Sequence, residues 1–582
     1  MTVILGLSNT HNGGVALVRD GEVKAAIQAE RISRRKRQLL PLGGEFALAQ
    51  QCVSYCLESV GLKHEDINAI AITTPWEVKR VRETDLFAYI GGTPQRYLQT
   101  GYVPHHLSHM EYVAHYGALS PGIVLVMDGS GSLEADRALF SIQEQHHPKI
   151  IDHTCLDGKE VISAYWFDGE QSYLIYRFCP SIAPIDARNS QSTGFLQSIG
   201  HYWEWASLYC CGSRNEAGKV MGLAAFGTES RSQLPAGLSI SDAGELKLDF
   251  SALREAYKEP NVFGLDLSNS QHHQDLAYKV QLETENVILG LLAILKDRFP
   301  TENLYLSGGV ALNVVANERI HKSGMFKNII LNGSVEDNGT AIGAALALNA
   351  DLGNTRKHSE VTEYYGRRYD TDDVLKALGD SDFEHAILSE DQLYSLVARL
   401  IADDNVVGWF QGRSEFGPRA LGNRSILANP TSLVTKYVLD HLMKCRDRYR
   451  PYAPVVMEER AGQYFEISGS SPVMMRNVRV LDKRLIAITH IDGTARVQTV
   501  NSTQNNRLHS LLSEFEKCSG VPVLLNTSFN RPGEPIVETP SDALQSFALG
   551  ALDYVILEDV IVARNLPSLD DALCHLTPSS HH

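Results

Sequence analysis

Cysteine is scarce in this 582-residue chain: nine residues, none in a CxxC pair, with Cys210 and Cys211 adjacent. That excludes a disulfide scaffold and predicts reduced thiols in a cytoplasmic protein. Long apolar runs are missing as well. No stretch reaches the roughly 18 apolar residues of a membrane span. Met1 to Ser8 lacks the basic start of a secretory signal and reads as a core strand. Excess positive charge is absent: 53 Lys and Arg face 69 Asp and Glu, a net charge of −16. Such a chain repels nucleic acid and anionic membranes as a whole and leans toward a cationic small partner. Low-complexity tracts are absent, and a hydrophobic fraction of 43% excludes a mainly disordered chain.

What is present is alternation of strands and helices, the pattern of an α/β fold. Val3 to Leu7, Val15 to Val18 and Glu22 to Gln28 read as strands, with a turn at Asp20-Gly21. A helix is expected from about Glu45 to Val60. The pattern restarts at Gly122 to Met127, followed by the loop Asp128-Gly-Ser-Gly-Ser132 and a returning strand at Ala138 to Gln143. Asn303 to Leu306 and Asn328 to Leu331 read as strands, and helices are expected from about Asn313 and Asn338. Two similar halves are therefore expected within residues 1–355. The polar stretch 356–385 reads as a linker, and 386–582 as a second α/β domain.

Four groups of residues carry chemistry. His105 and His109 lie four apart, on one face of a helix, a spacing that suits two imidazoles on one metal. Asp128 ends an apolar strand and Asp337 opens a helix; the four form a borderline donor set for iron, zinc or manganese. Gly308 and Gly309, between a strand and Asn313, let backbone approach a phosphate or ribose, and Glu216, Lys219 and Gly222 form a similar glycine-rich stretch. Residues 408–454 hold eight Lys or Arg against three acids, a local charge of +5. Arg413, Arg419, Arg424, Lys444, Arg446 and Arg450 there, with Arg496, Asn526, Ser528 and Asn530, read as an anion pocket. RNA is the rival ligand for such a patch. Glu30 to Arg37 is a second basic run, whose position would let Lys36 and His11 face one cleft.

Together these segments resemble the O-carbamoyltransferases of the antibiotic and nodulation-factor type. The resemblance rests on Glu30-Arg31…Lys36, His105-His-Leu-Ser-His109, Glu216-Ala-Gly-Lys-Val-Met-Gly222, Ser307-Gly-Gly-Val-Ala-Leu-Asn313 and Asp337-Asn-Gly339. It continues through Gly412-Arg…Phe416-Gly-Pro-Arg-Ala-Leu-Gly-Asn-Arg-Ser425, Arg450-Pro-Tyr-Ala-Pro454 and Asn526-Thr-Ser-Phe-Asn530. One departure stands at Asn12, where the family commonly has Asp.

The resemblance implies an N-terminal ASKHA-type domain, a duplicated RNase-H-like fold, and a C-terminal YrdC-like α/β domain. It also implies ATP, with Mg, and carbamoyl phosphate as co-substrates, carbamoyladenylate as intermediate, and carbamoyl transfer to a hydroxylated small-molecule natural product. The metal, iron foremost, would sit on His105, His109, Asp128 and Asp337. His11, Lys36, Arg419, Arg450 and Arg496 would carry the chemistry. A homodimer stays open. Two rival functions remain at this point. A small-molecule kinase of the ASKHA type leaves residues 405–564 without a role, and a tRNA-binding or tRNA-modifying protein conflicts with the net charge.

Overall fold

Every residue of Val3–Ser8 is buried, which a strand achieves when both faces of its sheet are covered. The computed structural model describes residues 2–40, 46–75, 99–117, 121–182, 196–229, 236–249, 267, 270–379, 381–444, 447 and 449–576. They divide into two units: residues 1–29 with 37–361, and residues 30–36 with 362–582.

The first unit holds the same sheet twice. β1 (Val3–Ser8), β2 (Gly14–Arg19) and β3 (Glu22–Gln28) form an antiparallel meander, and β4 (Ala69–Thr73) and β5 (Gln99–Val103) add in parallel, giving the order β3-β2-β1-β4-β5. In the second sheet β6 (Gly122–Met127), β8 (Ile162–Phe167) and β9 (Ser172–Cys179) form the meander, and β12 (Asn303–Ser307) and β13 (Asn328–Leu331) add in parallel. The order β13-β12-β6-β8-β9 repeats that of the first sheet, with the extra edge strand β7 (Gln145–Thr154) beyond β9. A short hairpin, β10 (Leu238–Ile240) with β11 (Leu246–Leu248), stands apart. This is the duplicated RNase-H-like arrangement expected from the resemblance.

One strand differs from the sequence reading. Glu134–Leu139 forms a 3-10 turn, and the strand that returns beside β6 is β8, 24 residues later in the chain than Ala138. The ladder decides this: Met127 pairs with Ile162, and Asp128 N–H donates to Val161 O at 3.0 Å. Phe140 and Ile142 are buried, as their apolar character predicts, but on irregular backbone.

Two helices of this unit cross at glycine. A Cβ added to Gly343 would fall 1.7 Å from Ser108 O, so the helices His105–Ala114 and Thr340–Asp351 touch backbone to backbone. That crossing brings the start of the first helix beside the residues that precede the second.

The second unit is one nine-stranded mixed sheet. Its strands are β14 (Glu384–Ile387), β15 (Val407–Phe410), β16 (Arg424–Ala428), β17 (Ala453–Met457), β18 (Arg476–Arg479), β19 (Thr494–Val500), β20 (Val523–Ser528), β21 (Tyr554–Leu557) and β22 (Val560–Ala563). Their order is β14-β22-β21-β15-β16-β20-β17-β19-β18. An apolar core including Trp409, Phe515 and Phe547 covers it. The polar stretch read as linker has structure: Asp370 and Asp373 form a capping box on the helix Thr371–Leu378, which buries Val374 and Leu378. Its surface charge is the outer face of that helix. Among the described residues, no helix is long and apolar enough to cross a membrane.

Candidate active site

His105 and His109 occupy the first two turns of the helix His105–Ala114, and every residue of that helix is buried. Asp128 stands at the end of β6 and Asp337 begins the short turn ahead of Thr340–Asp351. One ligand atom from each of the four lies within 4.8 Å of the others. His105 Nε2 is 3.3 Å from His109 Nε2, 3.2 Å from Asp128 Oδ2 and 3.4 Å from Asp337 Oδ1. His109 Nε2 is 3.9 Å and 3.8 Å from the same two carboxylates. Two imidazole nitrogens and two carboxylate oxygens, all turned to one point, make a donor set that fits a divalent transition metal. His109 Nδ1 lies 3.3 Å from Ser307 Oγ, which orients the ring from outside.

His105 and the two carboxylates favour one another's charged forms. Burial disfavours an imidazolium at His105, yet Asp337 and Asp128 outweigh it and push its pKa up to about 10. Burial raises the two carboxyls, but His105 and its neighbours hold Asp128 low, and His11 and His105 hold Asp337 well below the carboxylate range. His11 sets Nδ1 3.1 Å from Asp337 Oδ2. Burial opposes its charge too, and Asp337 raises its pKa to about 9. Asn12 donates to Glu336 Oε2 at 3.1 Å, so the position that departs from the family pattern still ties this loop to the 336–337 turn.

His106 does not join its neighbours. Its Nδ1 lies 2.9 Å from Ser163 Oγ, which donates to Glu160 at 2.6 Å, and burial lowers its pKa well below the usual value. Gly309 N–H donates to Asp128 Oδ1 at 3.3 Å, and Gly308 at φ +88 has no room for a Cβ, which would fall 2.2 Å from Met127 O. Asn313 caps the helix Val314–Ser323 and exchanges hydrogen bonds with Gln281, so its amide is engaged within the fold. Glu216 sits at the start of the helix Ala217–Ala224, 3.6 Å from Lys219, with Gly222 in the helix.

In the second unit the basic residues donate largely to backbone carbonyls. Arg424 is fully buried, stacked on Phe410, and donates to the carbonyls of Gln411, Gly412 and Asn423. Arg413 donates to Gly366 O and Tyr365 O. These two hold loops. Lys444 gathers Ser528 O, Asn530 O and Asn530 Oδ1, the last two at 2.8 Å, and Ser528 Oγ donates to Asn530 Oδ1 at 2.7 Å. Asn526 donates to Gln498 Oε1 at 2.8 Å, while Arg419 donates to Val473 O at 3.2 Å. Arg496 and Gln498 share one face of β19, two residues apart. Arg450 lies just ahead of β17, its N–H on Asp447 O; Arg446 lies outside the described residues. Residues 30–36 group with this unit: Arg31 is buried and donates to Gly417 O, and Arg34 to Pro535 O and Ile536 O. Lys36 therefore belongs to one unit and His11 to the other.

Two groups escaped sequence reasoning. Glu415 Oε1 accepts the N–H groups of Leu421, Asn423 and Arg424, organising the loop of the basic island from inside. Lys159 and His201 come from segments with no motif of their own, 158–161 and the start of the helix Ile199–Cys211, whose backbone meets the Asp128 loop.

Two family models cover the chain: the carbamoyltransferase N-terminus matches residues 3–99 and 96–346, and the carbamoyltransferase C-terminus matches 398–564. The chain belongs to the carbamoyltransferase family. It is 30% identical to the protein sll1178 of Synechocystis sp., over 97% of each chain. It is 31% identical to the nodulation protein NolNO of Sinorhizobium fredii, over 97% of this chain and 81% of that one. Over 59% of this chain and 64% of the other, it is 34% identical to the 3'-hydroxymethylcephem-O-carbamoyltransferase of Amycolatopsis lactamdurans. As a carbamoyltransferase it is an enzyme, and it has O-carbamoyltransferases among its relatives.

Proposed function

We propose that this carbamoyltransferase is ATP-dependent and moves the carbamoyl group of carbamoyl phosphate, through carbamoyladenylate, to a hydroxyl of a small natural product, a cationic one by the chain's net charge. The observation that carries the reading is the buried centre of His105, His109, Asp128 and Asp337 in a chain that the family matches across both units. In the second unit, water cleaves carbamoyl phosphate to carbamate and phosphate. A carbamate oxygen then attacks the α-phosphorus of ATP, presented with Mg, and pyrophosphate leaves. Lys444, Arg419, Arg450 and Arg496 compensate the negative charge gathered there.

In the first unit the acceptor oxygen attacks the carbamoyl carbon, the bond from that carbon to the phosphate oxygen breaks, and AMP leaves. His11 turns Nδ1 to Asp337, and in its neutral form its Nε2 takes the hydroxyl proton. His105, His109, Asp128 and Asp337 would hold a cation, iron, zinc or manganese by their chemistry, which would supply Lewis-acid polarisation of a phosphate or carbonyl oxygen. The test is pyrophosphate release by the purified protein. Release that requires ATP and carbamoyl phosphate together supports the reading; release with ATP alone, or none, refutes it.

A further inference from the structure

Three fully buried hydroxyls that this chemistry does not yet use, those of Ser8, Thr10 and Thr340, gather behind Asp337. Ser8 ends β1, and Thr340 opens the helix Thr340–Asp351. A Cβ added at Gly6 would lie 1.9 Å from Ala341 O, so β1 meets the first turn of that helix backbone to backbone. Ser8, two residues further on, faces the same side of the strand and reaches the start of the turn. A buried hydroxyl is costly unless it is hydrogen-bonded, and each of the three finds its partners in the other two or in the backbone beside them.

These hydrogen bonds run one way. Asn12 N–H can only donate, and it donates to Thr10 Oγ1 at 3.3 Å. The Thr10 hydroxyl proton then goes to Ser8 Oγ, also at 3.3 Å. Ser8 Oγ lies 2.8 Å from Thr340 Oγ1 and donates to Asp337 O at 3.0 Å, and Thr340 Oγ1 donates to the same carbonyl. A carbonyl can only accept, so the chain begins on the loop that carries His11 and ends on Asp337. His11 lies between Thr10 and Asn12, and its Nδ1 is 3.1 Å from Asp337 Oδ2. Asp337 Oδ1 is the oxygen nearest His105 and His109. One residue thus meets the centre with one carboxylate oxygen, His11 with the other, and the hydroxyls with its carbonyl.

We propose that Ser8, Thr10 and Thr340 are positioning residues of the first unit, whose hydroxyl chain ties the His11 loop to Asp337 so that the imidazole and the carboxylate keep their places as one piece. The assignment rests on the reading above, in which Asp337 is a ligand of the centre and His11 the base of the transfer step. The three act through Asp337 and not on the substrate. A hydroxyl lost anywhere along the chain frees the Asp337 carbonyl to shift, and the carboxylate with it.

The probe is zinc ion, titrated calorimetrically into the full-length protein after metal removal. The variants are Ser8→Ala, Thr10→Val, Thr340→Val, Thr340→Ser, and Ser8→Ala combined with Thr340→Val. Valine keeps the shape of Thr340 without the hydroxyl, and serine keeps the hydroxyl. Zinc affinity should fall about tenfold in Ser8→Ala and Thr340→Val and at least about threefold in Thr10→Val, while Thr340→Ser stays within about twofold of wild type. The double variant should bind within about threefold of the weaker single variant, because members of one chain are not additive. Pyrophosphate release should match wild type throughout. Wild-type zinc affinity in both Ser8→Ala and Thr340→Val overturns the proposal. So do equal losses in Thr340→Val and Thr340→Ser, additive losses in the double variant, or a parallel loss of pyrophosphate release. Wild-type protein that binds no zinc refutes the metal centre, and the positioning role with it. Wild-type protein that does bind zinc separates the two failures.

Discussion

His105 and His109 face each other Nε2 to Nε2 at 3.3 Å inside a fully buried helix. One helical turn sets that spacing, and two buried carboxylates close the other sides. Two imidazoles so placed share either a proton or a cation, and the second accounts for both carboxylates as well.

His105→Ala combined with His109→Ala should leave a folded protein without bound metal. Elemental analysis of the purified variant checks this. Metal content equal to wild type would remove the site.

Gly308→Ala should destabilise the first unit by about 3 kcal/mol or more, from a φ that only glycine adopts readily and from overlap with backbone. The Met127 carbonyl, 2.2 Å from the new Cβ, cannot give way as a flexible side chain would. A thermal melt reads the change, and a midpoint within about 1 °C of wild type contradicts it.

Arg424→Met and Lys444→Met should fail differently. Arg424 is buried on backbone carbonyls, so its loss should cost on the order of 3 kcal/mol and reach activity through folding. Lys444 is part-buried and also donates to the Ser528 and Asn530 carbonyls, so its loss should cost less stability than that of Arg424 and lower pyrophosphate release about a hundredfold or more. Equal melting temperatures with equal activity losses would contradict the division.

That division marks how far the sequence was legible. The strand–helix alternation, the HxxxH spacing and the two Asp positions were readable because each depends on local periodicity or on a residue at the end of an element. The role of each arginine was not, because a guanidinium that holds backbone and one that holds substrate have the same letter. His106 shows the limit most closely: it adjoins His105 in sequence, and the helix turns it to Ser163 instead. The return strand was misplaced because the ladder partner of β6 follows a long excursion, while Ala138 to Gln143 offered a nearer apolar run. Lys159, His201 and the grouping of residues 30–36 with the second unit depend on contacts distant in the chain, which periodicity does not encode.

His11→Asn should spare the first half-reaction and block the second. Pyrophosphate release should stay within about twofold of wild type, while carbamoylated product falls about a hundredfold, the usual scale for loss of a general base. Equal loss in both assays would mean that His11 acts through folding.

The central claim is that carbamoyladenylate is made first and consumed second. Its most direct test is rapid quench of the metal-loaded protein with ATP, carbon-labelled carbamoyl phosphate and a hydroxylated acceptor, followed by mass spectrometry. The account predicts label first in carbamoyladenylate, then in the carbamoylated acceptor as AMP appears. Labelled product formed without AMP, or formed equally well without ATP, would contradict it.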